Sequence, residues 1–149
     1  MVDVPGGRRV HLVHLVLDLN GTLARDGRLL AGVRTRLDQL ARRLRVHVLT
    51  ADTFGTARFA LRASPVTVHT VKTGADKRRF VDQRDGVVAV GNGRNDIAML
   101  KAAMLSIGVL GPEGCAGELL RVADVVTGDI GDALDLLRYP KRLTATLRR

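Results

Sequence analysis

The sequence predicts an α/β fold: a doubly wound, mostly parallel sheet in a single domain, residues 1–149. Three observations predict it. First, β-rich apolar runs alternate with helical patterns along the chain, which implies right-handed βαβ crossovers. Second, Asp18, Thr50 and the loop "GNGRND" each directly follow such a run, and open α/β sheets form their sites outside the carboxyl ends of the strands. Third, 149 residues with 46% apolar content can bury one core without staples, and with only 3% aromatics that core must be aliphatic.

Taken in order, "VHLVHLVLDL" (10–19) is apolar and long enough for a central strand. From 33 onward, Val33, Leu37, Leu40, Ala41 and Leu44 fall on one helical face. "VHVLT" (46–50) is a short strand, and a helical pattern starts near Thr53 with Asp52 as its N-cap. "VTVHTV" (66–71) is a third strand, after which Gly74 and Asp76 open a basic helix, "KRRFVDQ". "VVAV" (87–90) runs into "GNGRND" and the helix "DIAMLKAA". "MLSIGVLG" (104–111) and "ADVVTG" (123–128) are the last strands, separated by a Gly-rich turn with Pro112 and a helix through Leu119 and Leu120. "IGDALDLL" is a further helix, and the tail "YPKRLTATLRR" (139–149) a short basic one.

The composition narrows the setting. Cys115 is the only cysteine, so no intrachain disulfide forms and a reducing compartment suits the chain. No secretory apolar region follows "MVDVPGGRRV", and no run approaches the length of a membrane span, so the expected location is the cytoplasm. The net charge of +9 comes from 24 basic residues, all but four of them arginine. These are scattered along the polar sides of helical patterns, and the near absence of aromatics to stack on bases argues against nucleic acid as a partner.

"DLNGTL", then "VLT", then "GNGRND", in this order and on these elements, resembles the haloacid dehalogenase (HAD) superfamily of phosphohydrolases. Within it, the chain is most similar to small soluble proteins that resemble the phosphorylation domain of P-type ATPases. The resemblance implies a Rossmann-like sheet with a small flap hairpin after the first strand, for which "LARDGRLLAG" (23–32) has the right length. It also implies an enzyme: a Mg²⁺-dependent phosphatase that forms an aspartyl-phosphate.

On that resemblance Asp18 is the nucleophile, since a carboxylate beside Mg²⁺ can attack phosphorus in line. Leu19, Gly21, Thr22, Thr50 and Ala51 contribute to phosphate binding, Gly21 by permitting the close turn and Thr22 and Thr50 through hydroxyls. Lys77 is the lysine that neutralises phosphate charge, with Lys72 as second choice. The metal set is Asp18, the backbone carbonyl of Asn20, Asn92 and Asp96, oxygen donors that suit Mg²⁺.

Two positions depart from the family pattern. Asn20 stands where the family's phosphatases have an acid that protonates the leaving oxygen and then activates water. An amide does neither, and losing general acid–base help costs about 10²–10⁴-fold. Alkyl phosphates are then poor substrates, whereas acyl, aryl or pyrophosphoryl leaving groups depart without a proton. Asn92 replaces a second acid, leaving the metal site one negative charge short. An alternative therefore stands beside the enzyme: a catalytically weak or inactive regulatory protein that binds phosphate or Mg²⁺.

Neither gap between motifs has room for a cap domain, nor for the nucleotide-binding domain of P-type ATPases, which argues against ATP-driven transport. Open, capless sites in this superfamily go with macromolecular substrates or with oligomers that cover the site. The expected partners are a phosphorylated small molecule or a phosphoprotein. Leu143 and Leu147 of the tail offer a surface for a homo-oligomer.

Overall fold

The computed structural model describes residues 2–4, 8–52 and 55–148. Along the chain run β1 (Val2–Val4), β2 (Arg8–Val10), β3 (His14–Asp18), β4 (Ala24–Arg25), β5 (Arg28–Leu29), α1 (Val33–Leu40), β6 (Arg45–Thr50) and α2 (Thr56–Ala60). There follow β7 (Thr67–Thr70), α3 (Gly74–Asp82), β8 (Val87–Gly91), α4 (Ile97–Ala102), β9 (Leu105–Val109), β10 (Val125–Thr127), α5 (Ile130–Arg138) and α6 (Pro140–Leu147). Six strands form the main sheet in the order β10-β9-β8-β3-β6-β7, and every pairing in it is parallel.

From β3 the chain winds outward through β6 to β7. It then returns to β8 and winds the other way through β9 to β10, so the reversal falls between β3 and β8. This is the doubly wound arrangement expected, with its crevice at the carboxyl ends of the two central strands. The flap is present as the β4–β5 hairpin, closed by Asp26 and Gly27, both at positive φ. Among the described residues no cap domain is inserted, and no helix is long and apolar enough to cross a membrane.

Alternate residues of the central strands feed two cores. Leu15, Leu17, Val46, Val48, Val88 and Val90 face α1, α5 and α6, whereas Val16, Leu49, Val87 and Ala89 face α3 and α4. Both faces of the sheet are thus covered, which is why these strands read as unbroken apolar runs. Arg36 of α1 and Arg138 of α5 share Asp135, at 2.9 and 2.6 Å, and tie one helical layer together.

Several elements differ from the sequence expectation. The run 10–19 is split: β2 pairs with β1 in a separate antiparallel hairpin, and β3 begins only at His14. The neighbouring strand β8 starts at Val87, and the turn before it sends the Gly86 carbonyl to the amides of Val13 and His14 (2.8 and 3.1 Å), so 11–13 have no ladder partner there. The helix through Leu119 and Leu120 is a 3₁₀ turn, Gly117–Arg121. The tail is a helix as expected, but Leu143 is fully buried in the chain's own core and Leu147 packs against it. The sequence starts the second helical pattern near Thr53, which lies outside the described residues. The observed helix begins at Thr56, and Asp52 accepts a hydrogen bond from the Ala57 amide at 2.9 Å.

Candidate active site

Asp18 ends β3, the strand at the centre of the sheet, and is buried. Lys77 reaches it from α3, whose first turn is fixed by reciprocal bonds between Thr73 and Asp76. That capping box sets where the helix starts, and therefore where Lys77, four residues on, points. Its ammonium lies 2.8 Å from Asp18 Oδ1 and 2.7 Å from Asp96 Oδ1. The structure thus brings Lys77 to Asp18, while Lys72 is exposed.

Asp96 sits in a 3₁₀ turn after β8 and is fully buried. Its Oδ2 accepts the amides of Asn92 (3.1 Å) and Gly93 (3.0 Å), which leaves Oδ1 for Lys77. A Cβ at Gly91 would stand 2.6 Å from Asp96 Oδ2, so only glycine fits beneath this carboxylate.

Asn92 joins three segments. Its Oδ1 accepts the Thr22 hydroxyl at 3.0 Å, and its Nδ2 donates to the Gly114 carbonyl at 3.0 Å. Its backbone carbonyl accepts the Ala116 amide at 2.8 Å. Thr22 belongs to the turn after Asp18, in which Gly21, at φ 75, donates its amide to the Ala24 carbonyl. Asn20 is exposed at the mouth of the site. Thr50 is buried at the end of β6, and its hydroxyl accepts the Asp52 amide at 3.1 Å; Ala51 beside it is exposed.

The segment 111–116, in sequence only a Gly-rich turn, packs backbone against backbone on the Asp18 turn: a Cβ at Gly111 would run into the Gly21 carbonyl. A signal for this contact exists in the sequence, since the segment follows β9 and the strand-end rule applies there as well.

The electrostatics show a deficit of positive charge. Two buried carboxylates share one ammonium. Burial, and then the charge of Asp96, push Asp18 up to about 6, although Lys77 and the Leu19 amide oppose the rise. Burial alone would lower Lys77, but Asp18 and Asp96 outweigh it and hold the ammonium above its ordinary value. A hard divalent cation would supply the missing charge. Asp18, Asp96 and the Asn20 carbonyl, which accepts no backbone hydrogen bond among the described residues, are oxygen donors that fit it. Among the described residues no three His, Cys, Asp or Glu side chains converge on a metal-sized space, so backbone and amide oxygens must complete such a set.

The fold is similar to that of HAD-type α/β hydrolases. Over 92% of its length the chain superposes on 94% of the 3-deoxy-D-manno-octulosonate 8-phosphate phosphatase of Moraxella catarrhalis, solved with magnesium, phosphate and KDO (TM-score 0.72, 13% identity). The cobalt-bound phosphatase of the same substrate from Haemophilus influenzae matches 93% of this chain over 94% of its own (TM-score 0.69, 12% identity). A zinc-transporting PIB-type ATPase matches 79% of this chain with 20% of its own (TM-score 0.66, 23% identity).

In sequence the chain is 48% identical over 62 residues to an uncharacterised protein of Methanocaldococcus jannaschii, covering 42% of this chain and 67% of that one. A second uncharacterised protein of that organism is 49% identical over 39 residues, 26% of this chain and 89% of its own. The chain belongs to the family of these archaeal proteins, and its fold is similar to that of HAD-type phosphatases. No protein-family profile matches it.

Proposed function

We propose that the chain is a Mg²⁺-dependent phosphohydrolase that works through an aspartyl-phosphate on Asp18. The observation that carries this reading is the Lys77 ammonium held between Asp18 and Asp96 at the carboxyl ends of the central strands. The cation, bound by Asp18, the Asn20 carbonyl, Asp96 and the Asn92 side, would offset charge on the transferring phosphoryl group.

In the first step an Asp18 oxygen attacks phosphorus, the P–O bond to the leaving group breaks, and the electron pair departs with that group. Lys77 and the Thr50 hydroxyl bind phosphoryl oxygens, and the Leu19 amide, already directed at Asp18, orients the nucleophile. The exposed Asn20 amide gives no proton to the leaving oxygen, so aryl, acyl and pyrophosphoryl groups depart and alkoxides do so poorly. In the second step water attacks phosphorus, the Asp18 oxygen leaves, and the water's proton passes to solvent. Without a base at position 20 this step is slow, and the phosphoenzyme persists. The open site admits a phosphorylated small molecule or a phosphoprotein, and a cytoplasmic setting suits the lone cysteine.

A second reading, a regulatory protein that binds phosphate or Mg²⁺ with little turnover, is favoured by Asn20 together with the closed hydrogen bonding of Asn92. One experiment separates the two: p-nitrophenyl phosphate and acetyl phosphate with Mg²⁺, on the wild type, Asp18→Asn and Asn20→Asp. We expect slow turnover lost in Asp18→Asn and raised in Asn20→Asp. Activity that survives Asp18→Asn refutes the enzyme reading.

A further inference from the structure

His14, His47 and His69 lie on three separate strands and, taken one at a time, are ordinary strand residues. Folding sets them in one diagonal row. In the parallel register His14 pairs with Arg45, His47 with Val16 and Thr67, and His69 with Leu49, so each histidine is one step of two residues further along than the last. His14 Nδ1 is 3.1 Å from His47 Nε2, and His47 Nδ1 is 3.1 Å from His69 Nε2. Phe80 of α3 closes over the row, its ring 5.2 Å from that of His47 and 4.6 Å from that of His69. The Arg84 guanidinium lies 3.6 Å from the Phe80 ring centre, and its Nη1 donates to the Phe80 carbonyl at 2.8 Å.

Each of these contacts needs one proton between two nitrogens. Neutral imidazoles supply it, with one N–H per ring. One extra proton can be held if His47 donates from both nitrogens; a second sets N–H against N–H and breaks a contact. The charged groups that face the row are Arg84, just past the end of α3, Arg45 of β6 and Arg58, which lies in α2. All are cations, so they oppose even the first proton. Burial and these arginines lower all three histidines, His47 to about 4.

Lys77 and Phe80, three residues apart, lie on the face of α3 that meets the sheet, and Arg84 follows just past the helix end. The helix that carries Lys77 to Asp18 is therefore seated, one turn later, on the histidine row. We infer that the His14–His47–His69 row, through Phe80, positions Lys77 over the phosphate site, and that protonation of the row unseats α3 and withdraws the lysine. A displacement near 1 Å at a positioning group can cost about 10²-fold in rate.

The direction follows from linkage. The seated row binds protons less readily than an opened one, so the seat is intact above the ordinary histidine value of 6.5 and weakens as pH falls toward 4. The inference rests on the reading of Lys77 as the phosphate-site lysine, and the test has one arm that needs no turnover.

Amide hydrogen exchange of the whole protein at pH 7 and 4.5, corrected for intrinsic rates, compares α3 with α5 on the opposite face. In the wild type, acidification should lower α3 protection on the order of tenfold more than α5 protection. In His47→Asn, which keeps an amide donor and acceptor but does not titrate, the α3 to α5 ratio should be the same at both pH values. His69→Asn, on the edge strand, should fall between the two. With p-nitrophenyl phosphate, the acid limb of kcat/KM should be steeper than first order in protons for the wild type and first order for His47→Asn. A wild-type ratio independent of pH, or an equal fall in His47→Asn, overturns the inference. Absence of Asp18-dependent turnover sinks the phosphohydrolase reading and leaves the exchange result to decide the seat.

Discussion

Replacing Lys77 by methionine removes the one cation that two buried carboxylates share. Met has nearly the same length, so the change is in charge and hydrogen bonding more than in volume. Breaking a buried ion pair from one side costs about 3–5 kcal/mol, because the remaining charge stays desolvated and unpaired. Here Asp18 and Asp96 both lose a bond shorter than 3 Å, so the upper part of that range applies. A chain of this length has roughly 7–20 kcal/mol of total stability, so the variant should still fold. Its deficit should depend on pH. Asp18 already stands at about 6, against 3.8 in an unfolded chain, and loss of Lys77 raises it further. A carboxylate raised on folding favours the folded state below its unfolded value and loses that contribution as pH rises through the folded one. The deficit should therefore be full at pH 7.5 and much smaller at pH 5. Urea unfolding at both pH values, with and without Mg²⁺, measures it, and Mg²⁺ should recover part of the loss at pH 7.5. A loss under about 1 kcal/mol at pH 7.5, or one equal at both pH values, refutes the argument that Lys77 is the charge balance of this site.

Three other expectations follow from the same geometry. Asn92→Asp places a carboxylate oxygen 3.0 Å from the Gly114 carbonyl and removes the donor, so it should cost about 1–3 kcal/mol in the absence of cation and less with Mg²⁺, read from thermal melts. In wild type without cation, the Asp18 contribution should fall by up to about 3 kcal/mol as pH rises from 4 through 6, a slope that Mg²⁺ and Asp18→Asn each abolish in urea titrations. Gly111→Ala drives a Cβ into the Gly21 carbonyl and should cost about 1–3 kcal/mol, whereas Gly117→Ala, with open space around it, should stay within about 0.5 kcal/mol by the same unfolding assay.

Much of this architecture is legible in the residues because local rules and global fold agree. Asp18, Thr50 and the 91–96 loop can be placed in one crevice before any coordinates, since each ends an apolar run and parallel sheets collect such ends. Lys77 is placed by resemblance, and the Thr73–Asp76 cap, which fixes the phase of α3, is what turns it rather than Lys72 toward Asp18. What escapes is anything that depends on register between strands. His47 and His69 alternate with valines in sequence, and nothing local says that a two-residue offset per strand aligns them with His14. The break at 11–13 escapes for the same reason, because it is set by where β8 begins, more than seventy residues away.

Register and packing also change how the two asparagines are understood. In sequence, Asn20 and Asn92 form a pair of missing acids. In the fold they are unlike. Asn20 is exposed, and its side chain can be exchanged for an acid without disturbing a neighbour. Asn92 uses both ends of its amide, accepting from Thr22 and donating to Gly114, so a carboxylate there would face a carbonyl. Gly111, pressed on the Gly21 backbone, belongs to the same joint. On the proposed reading the absence of a proton donor at position 20 is thus a change in chemistry alone, whereas the amide at 92 is part of what holds the turn after Asp18 against the β9 end of the sheet. A restored acid at 20 should raise turnover; a restored acid at 92 should first cost stability. That asymmetry, measured in one pair of variants, tests the site as a folded object rather than as a motif.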